Sequence, residues 1–379
     1  MIRFLIVISL LFIYTSFKST QLWPTQKWSA IGLTLLLFLL MVGGMFLGRT
    51  KASAFDETWF QVISWGSSLT IGLWATFIII SMPFDILHLG IFIWNRLAGS
   101  SELDAERRVV LFHTIPRYLA AFSAGLATLG FTEVLLGPKV KETKVSFSNL
   151  PPALKGLKIT QISDLHVGPT LRQGYVEKVV TEVNSTNPDL IFFTGDMADA
   201  NVDSIDEHLQ PLAKLKAKYG LFYVTGNHEY YWGASELITK ISSLGFTALI
   251  NSNKIINIGD QKVMIAGVTD PAGDMLDGHT PDLKKAVATS EIAGFKILLA
   301  HRPDACLEAE LEGINLQFSG HTHSGQFFPF SLFIGLAHKY SRGLYQHGLM
   351  QVYVNPGTGY WGPADRLGVM AEVSSIILA

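Results

Sequence analysis

Apolar and polar positions divide the 379-residue chain into two unlike stretches. Up to about residue 137, apolar residues run almost without interruption. A bilayer crossing needs about 20 of them, and the runs 29–47, 60–82 and 118–136 approach or meet that length. The shorter run 2–17 follows a basic start and is not succeeded by paired small residues of the kind a signal peptidase needs, so it reads as an uncleaved span. Between 60 and 94 the run is too long for one straight crossing and short for two, and Pro83 lies inside it. A kinked helix, or a span followed by an interfacial segment, is expected there.

From Pro138 onward short β-branched runs alternate with polar, helix-like stretches. The segments 157–162, 189–193, 221–224, 263–267, 296–299, 316–318 and 352–354 read as buried strands, and 174–183 and 205–216 as helices. Strand, loop and helix in repetition predict an α/β domain. The expected organisation is an all-α transmembrane region of about four helices over 1–137, a linker over 138–156 and the α/β domain over 157–379.

Composition sharpens this division. The chain is 49% hydrophobic and 16% charged, where soluble domains carry about a quarter charged residues, and the pattern confines the deficit to the first part. Lys and Arg number 29 against 31 Asp and Glu, which removes nucleic acid as a default partner. Cys306 is the only cysteine, so the chain builds neither an internal disulfide nor a thiolate metal site. Within the apolar part, Asp85 and His88 stand three residues apart on one helical face and are functional candidates by position. The plainer expectation is that they hydrogen-bond one another near the interface. Arg96, Arg107, Arg108 and Arg117 mark the loop 95–117 as cytoplasmic, which places the α/β domain outside the cytoplasm; Lys139, Lys141 and Lys144 argue the other way.

Five loops after expected strands carry the chemistry: Ser163-Asp164-Leu165-His166, Gly195-Asp196-Met197-Ala198-Asp199, Gly226-Asn227-His228-Glu229, His301, and Gly320-His321-Thr322-His323. Carboxylate and imidazole donors without thiolate suit Mn, Fe or Zn. An Asp-x-His or His-x-His on an extended segment sets both side chains on one side, within reach of one ion. Phosphoester hydrolysis profits from two such ions, one polarising phosphoryl oxygens while a bridging water becomes hydroxide near neutral pH.

In this ordered set of loops the sequence resembles the calcineurin-like metallophosphoesterases. The resemblance implies a four-layer α/β/β/α sandwich and two divalent metal ions. Asp164, His166 and His323 would hold the first ion, Asp196 would bridge, and Asn227, His301 and His321 would complete the second site. His228 would protonate the leaving oxygen or steady the phosphoryl group, and Asp199 would orient it. The run Asp199-Ala200-Asn201 lacks the arginine of the protein phosphatases of this superfamily, which argues against that activity. Together with the apolar first part, the pattern is similar to the transmembrane proteins with a metallophosphoesterase domain and to related bacterial phosphodiesterases. A lipid-linked pyrophosphate, such as the UDP-linked diacylglucosamine of lipid A synthesis, is the leading substrate expectation, with the bilayer as partner. The competing expectation is a transport or sensory protein whose α/β domain binds ligand without turnover.

Three further features complete the reading. The apolar loop 325–336 either meets the bilayer or an acyl chain, or closes the core. Tyr230, Tyr231 and Trp232 are candidates for the rim of the site. Asp270, Asp274 and Asp277 read as a solvated acidic loop rather than a calcium site.

Overall fold

The computed structural model describes residues 2–47, 57–98 and 104–379, which form two compact units. The helical unit is built on α1 (Ile2–Leu22), α2 (Lys27–Leu47), α3 (Thr58–Leu97), the short α4 (Ala105–Val109) and α5 (Ile115–Leu136), with one π-helical turn over Val110–Thr114. Three helical stretches, Lys27–Gly44, Thr58–Leu97 and Glu106–Leu136, are long and apolar enough to cross a membrane. α1 is helical but is not among them. α3 runs unbroken through Pro83 for 40 residues, about 60 Å at about 1.5 Å per residue. The residues after the proline continue the same helix as far as Leu97. One lost N–H bond is a smaller penalty than exposing further backbone in apolar surroundings.

Asp85 does not bond His88. Its two carboxylate oxygens accept from Lys18 Nζ and from the Tyr14 hydroxyl of α1, each at 2.7 Å. His88 instead packs its ring against Phe84 and Phe112. A shared helical face brought the two side chains near each other, but an ammonium and a phenol from a neighbouring helix satisfy a carboxylate better than one imidazole does.

The α/β unit contains two six-stranded sheets. The first is ordered β1 (Lys139–Val145), β12 (Glu372–Leu378), β2 (Lys158–Ile162), β3 (Leu190–Phe193), β4 (Leu221–Tyr223), β5 (Phe246–Ala248). The second is ordered β10 (Gly343–His347), β11 (Met350–Val354), β9 (Leu316–Ser319), β8 (Phe295–Leu299), β7 (Gln261–Gly267), β6 (Ser252–Ile258). Strands β2 to β5 are mutually parallel, as are β7, β8, β9 and β11.

Alternation along each strand sets the layers. Leu190 and Phe192 of β3 meet Ile297 and Leu299 of β8 in the core between the sheets, whereas Leu298 turns outward onto a second cluster with Leu283, Ala286 and Cys306. Helix α6 (Gln173–Ser185) buries Val176, Val179, Val180 and Val183, the spacing of one helical face. The result is the four-layer α/β/β/α sandwich.

Part of the segment 138–156, expected as a linker, is a strand. β1 pairs in parallel with β12, more than two hundred residues away in sequence. Its run Lys-Val-Lys-Glu-Thr-Lys-Val is mostly exposed, as suits an edge strand protected by charge, so no apolar signal marks it. The stretch 205–216 also divides: α7 (Val202–Leu209) stops before Pro211 and a 3-10 turn follows over Gln210–Lys214, because proline offers no N–H to the preceding turn. Downstream, α8 (Asn227–Trp232) and α9 (Ala234–Ser243) are separated by Gly233 at φ 103°.

Candidate metal centre

All five loops lie just beyond the carboxyl ends of parallel strands: β2, β3 and β4 from the first sheet, β8 and β9 from the second. The expected extended Asp-x-His geometry is absent. Asp164, His166, Asp196, His321 and His323 all have left-handed backbones, with φ between 47° and 71°. Such conformations cost a non-glycine residue about 1–3 kcal/mol and persist only where their surroundings impose them.

The imposing contacts are visible. Asp164 N donates to Gly195 O (2.9 Å), His166 N to Asp196 O (3.1 Å) and Val167 N to Met197 O (2.8 Å), so the first two loops are zipped together. His321 N donates to the Asp164 carboxylate at 3.1 Å. Gly226 is required by close approach, since a Cβ there would strike the Asp196 carboxylate.

The donor atoms converge in three overlapping groups, Asp164/His166/His323, His166/Asp196/His228 and Asp196/His301/His321, each with its atoms within 4.8 Å of one another. His166 Nε2 faces His323 Nε2 at 3.1 Å, and His321 Nδ1 faces His301 Nε2 at 3.2 Å. Two facing imidazole nitrogens share at most one proton between them. Asn227 adds a buried Oδ1 with no hydrogen-bond partner. Converging lone pairs and an orphaned amide oxygen are the environment that a divalent cation satisfies, and oxygen and imidazole donors suit Mn, Fe or Zn. The residues therefore fit the metal ions that the sequence implied.

Charge is shared out accordingly. Burial opposes ionisation of Asp164 and Asp196, yet neighbouring imidazoles hold both below the usual carboxylate range. Against burial, Asp196 and Asp164 push His301 up to about 10. Burial and the His301 charge bring its partner His321 down to about 3.

His228 stands beside this cluster. Its Nδ1 lies 2.5 Å from Asp199 Oδ1, and its backbone N–H donates to Asp196 Oδ1 at 2.9 Å. Burial alone would lower its pKa, but Asp199 and Asp196 push it up to about 9. Asp199 also meets His166 Nδ1 at 3.1 Å, so one carboxylate orients two imidazoles. Of the expected aromatic rim, exposed Tyr231 packs against His228, whereas Tyr230 turns inward to Thr225 and His279.

Three residues of the site had no role in the sequence reading. Exposed Trp361 packs its ring against His228 at a centroid distance of 5.8 Å. Buried Glu229 accepts from Gly226 N (2.6 Å), Met197 N (2.6 Å) and Asp196 N (3.1 Å), tying the second loop to the third. Its place three residues after the helix cap is the one available signal, since glutamate there reaches back to the cap. Arg366 is fully buried. It donates to Pro356 O (2.8 Å) and to Gly359 O, with Nη2 at 3.3 Å from His323 Nδ1. The turn 355–359 thus backs the first loop, where Thr358 N donates to Ser163 O and Gly359 N to Asp164 O. Asp270 is buried rather than solvated: it accepts from Ala272 N and holds Arg302, while Asp274 and Asp277 are exposed as expected.

Residues 157–325 match the Calcineurin-like phosphoesterase family model. A metallophosphoesterase of Helicobacter pylori is 38% identical over 269 residues, 70% of each chain. A Danio rerio transmembrane protein with metallophosphoesterase domain is 32% identical over 94% of this chain and 81% of its own. Among solved structures, the calcineurin-like phosphoesterase YfkN of Bacillus subtilis aligns with 54% of this chain and 82% of its own, at 17% identity and a TM-score of 0.37. On relatedness of that extent, the chain belongs to the calcineurin-like metallophosphoesterases and is a metal-dependent phosphoric ester hydrolase.

Proposed function

We propose that the chain is a membrane-anchored, dinuclear phosphoesterase that hydrolyses a phosphodiester or pyrophosphate. The observation that carries this reading is the pair of donor groups meeting at Asp196, with the unpartnered Asn227 oxygen beside them. Asp164, His166 and His323 would hold one ion, Asn227, His301 and His321 the other, and Asp196 both. When bound, the ions would supply polarisation of the phosphoryl group and a water acidic enough to attack near neutral pH. His228, kept protonated by Asp199, would give its proton to the leaving oxygen as the P–O bond breaks. Such general-acid help is worth about 10²–10⁴-fold.

The three long apolar helices support anchorage by several spans, and the arginines of the loop 95–117 favour an extracytoplasmic α/β unit. A lipid-linked substrate is supported by the loop 325–336. Phe327 is buried, but Phe330, Leu332, Phe333 (55% exposed) and Leu336 (88% exposed) face outward, more apolar surface than closing a core requires. A transport or sensory role has less support, because Asp85, paired with buried Lys18 in the described helices, has a donor on each carboxylate oxygen.

The test uses the full-length chain in detergent, stripped of metal and resupplied with Mn, Fe or Zn, acting on bis-p-nitrophenyl phosphate. Turnover that returns with metal and is absent in Asp196→Asn is expected; no turnover with any of the ions would overturn the reading. Serine at Phe330 and Phe333 should weaken an acylated substrate more than a small diester. A reporter fused at Ala379 tests the side of the membrane.

A further inference from the structure

Arg302 follows His301 directly in sequence, in the loop beyond β8. Its guanidinium is gripped along one edge: Nε donates to Asp270 Oδ2 at 2.7 Å and Nη2 to Asp270 Oδ1 at 3.2 Å. The gripping carboxylate is buried and is itself held by Ala272 N at 2.8 Å. A fully buried carboxylate would normally enclose its counter-ion, yet 36% of the Arg302 side chain remains exposed. A guanidinium has five N–H donors in a rigid fork, and the two contacts to Asp270 leave the remaining donors to point elsewhere. Asp196 of the metal cluster lies within electrostatic range of this charge, as does exposed Tyr231, whose ring packs against His228.

We propose that Arg302 is a specificity residue that binds a second phosphoryl group beside the one being cleaved, so that the site prefers pyrophosphates to phosphodiesters. The proposal rests on the hydrolase reading of the same site. Its chemistry is that of a pre-organised arginine: one edge is immobilised by Asp270, and the other offers parallel N–H groups to two phosphate oxygens. Fixing the fork in advance removes the ordering penalty that a free surface arginine incurs on binding. A pyrophosphate diester also carries one more negative charge than a phosphodiester, and Arg302 supplies the matching positive charge outside the metal ligands.

A matched pair of competitors isolates that one phosphate. Diadenosine pyrophosphate and diadenosine phosphate carry the same nucleosides and differ by a single phosphoryl unit. Each is measured as a competitive inhibitor of bis-p-nitrophenyl phosphate hydrolysis by the full-length protein. The wild type is expected to bind the pyrophosphate about tenfold more tightly, equivalent to about 1.4 kcal/mol. In Arg302→Gln the ratio of the two inhibition constants should collapse towards unity, and Arg302→Lys, which keeps the charge without the fork, should fall between. Asp270→Asn, which loosens the grip, should shift the ratio in the same direction as Arg302→Gln. Equal inhibition by the two compounds in the wild type, or a ratio unaltered in Arg302→Gln, would overturn the proposal, including the case where that variant loses affinity for both alike. Should the glutamine variant fail to fold, the lysine variant decides by the same ratio. Absence of turnover by the wild type would be a different failure, that of the hydrolase reading itself.

Discussion

Both units bury charge, and they do so in opposite ways. In the helical unit Lys18, with 1% of its side chain exposed, meets Asp85, and Tyr14 takes the other carboxylate oxygen. Both carboxylate oxygens have a donor, and in that sense the network is closed. In the α/β unit the charged groups outnumber their internal partners: imidazole nitrogens face imidazole nitrogens, and the Asn227 oxygen has no donor. A closed network consumes its own electrostatics in holding helices together. An open one keeps them available for an ion and a substrate, and the left-handed backbones at five of the candidate donors show the strain accepted to keep it open.

The sharpest way to break this contrast is to close the open cluster. Asp196→Asn should abolish metal-dependent turnover. Saturating metal, at about a hundredfold over its dissociation constant, should stabilise the wild-type α/β unit by about 2.7 kcal/mol and leave this variant nearly unmoved, as read by thermal melting with and without metal. Equal stabilisation of both would mean that Asp196 holds no ion. Next in size, His228→Asn should lower kcat by about 10²–10⁴-fold while the metal-induced rise in melting temperature persists; a lost rise would make His228 a ligand instead.

Opening the closed network should have a different signature. Lys18→Met leaves Asp85 partly buried without its ammonium and should cost the helical unit about 1–3 kcal/mol, below the range for fully buried pairs because Asp85 is 31% exposed. Unfolding in detergent would show this, with turnover per folded molecule unaltered. The double replacement Lys18→Met with Asp85→Leu should recover most of the loss.

The smallest effect belongs to an ion pair at the surface of the α/β unit. Lys240 of α9 hydrogen-bonds Asp206 of α7 and holds its carboxyl below the usual range. A depressed folded pKa stabilises the fold above the unfolded value of about 3.9, and that contribution is lost as pH falls through the folded value. Asp206→Asn should therefore cost about 0.2–1 kcal/mol at neutral pH and nothing at the acid end of a pH series of melting curves. A deficit constant with pH would refute the ion-pair origin.

Legibility in the sequence followed locality. The donor loops were readable because each is a few residues long and ends a buried strand with its own apolar signature. Glu229 carried a weaker local mark, its spacing from the helix cap. Arg366 carried none: its partners Pro356, Gly359 and His323 acquire meaning only once β9 and β11 pair and bring the loops that follow them together. β1 was hidden for a similar reason, since an edge strand with charged side chains resembles a linker until its partner arrives. Asp85 shows the converse error, where a plausible neighbour in sequence lost to Lys18, 67 residues away.

The amino-acid sequence by itself determined the division into an apolar helical part and an α/β part, the strand-end positions of the donors and their oxygen and imidazole chemistry. Those properties follow from side-chain chemistry and short-range periodicity, which act within a few residues. Only the tertiary structure decided that the donors approach through left-handed backbones, that Asp85 is neutralised from another helix, and that Asp270 grips Arg302. Each of these depends on contacts between segments far apart in the chain, whose geometry is set by which sheets and helices pack together.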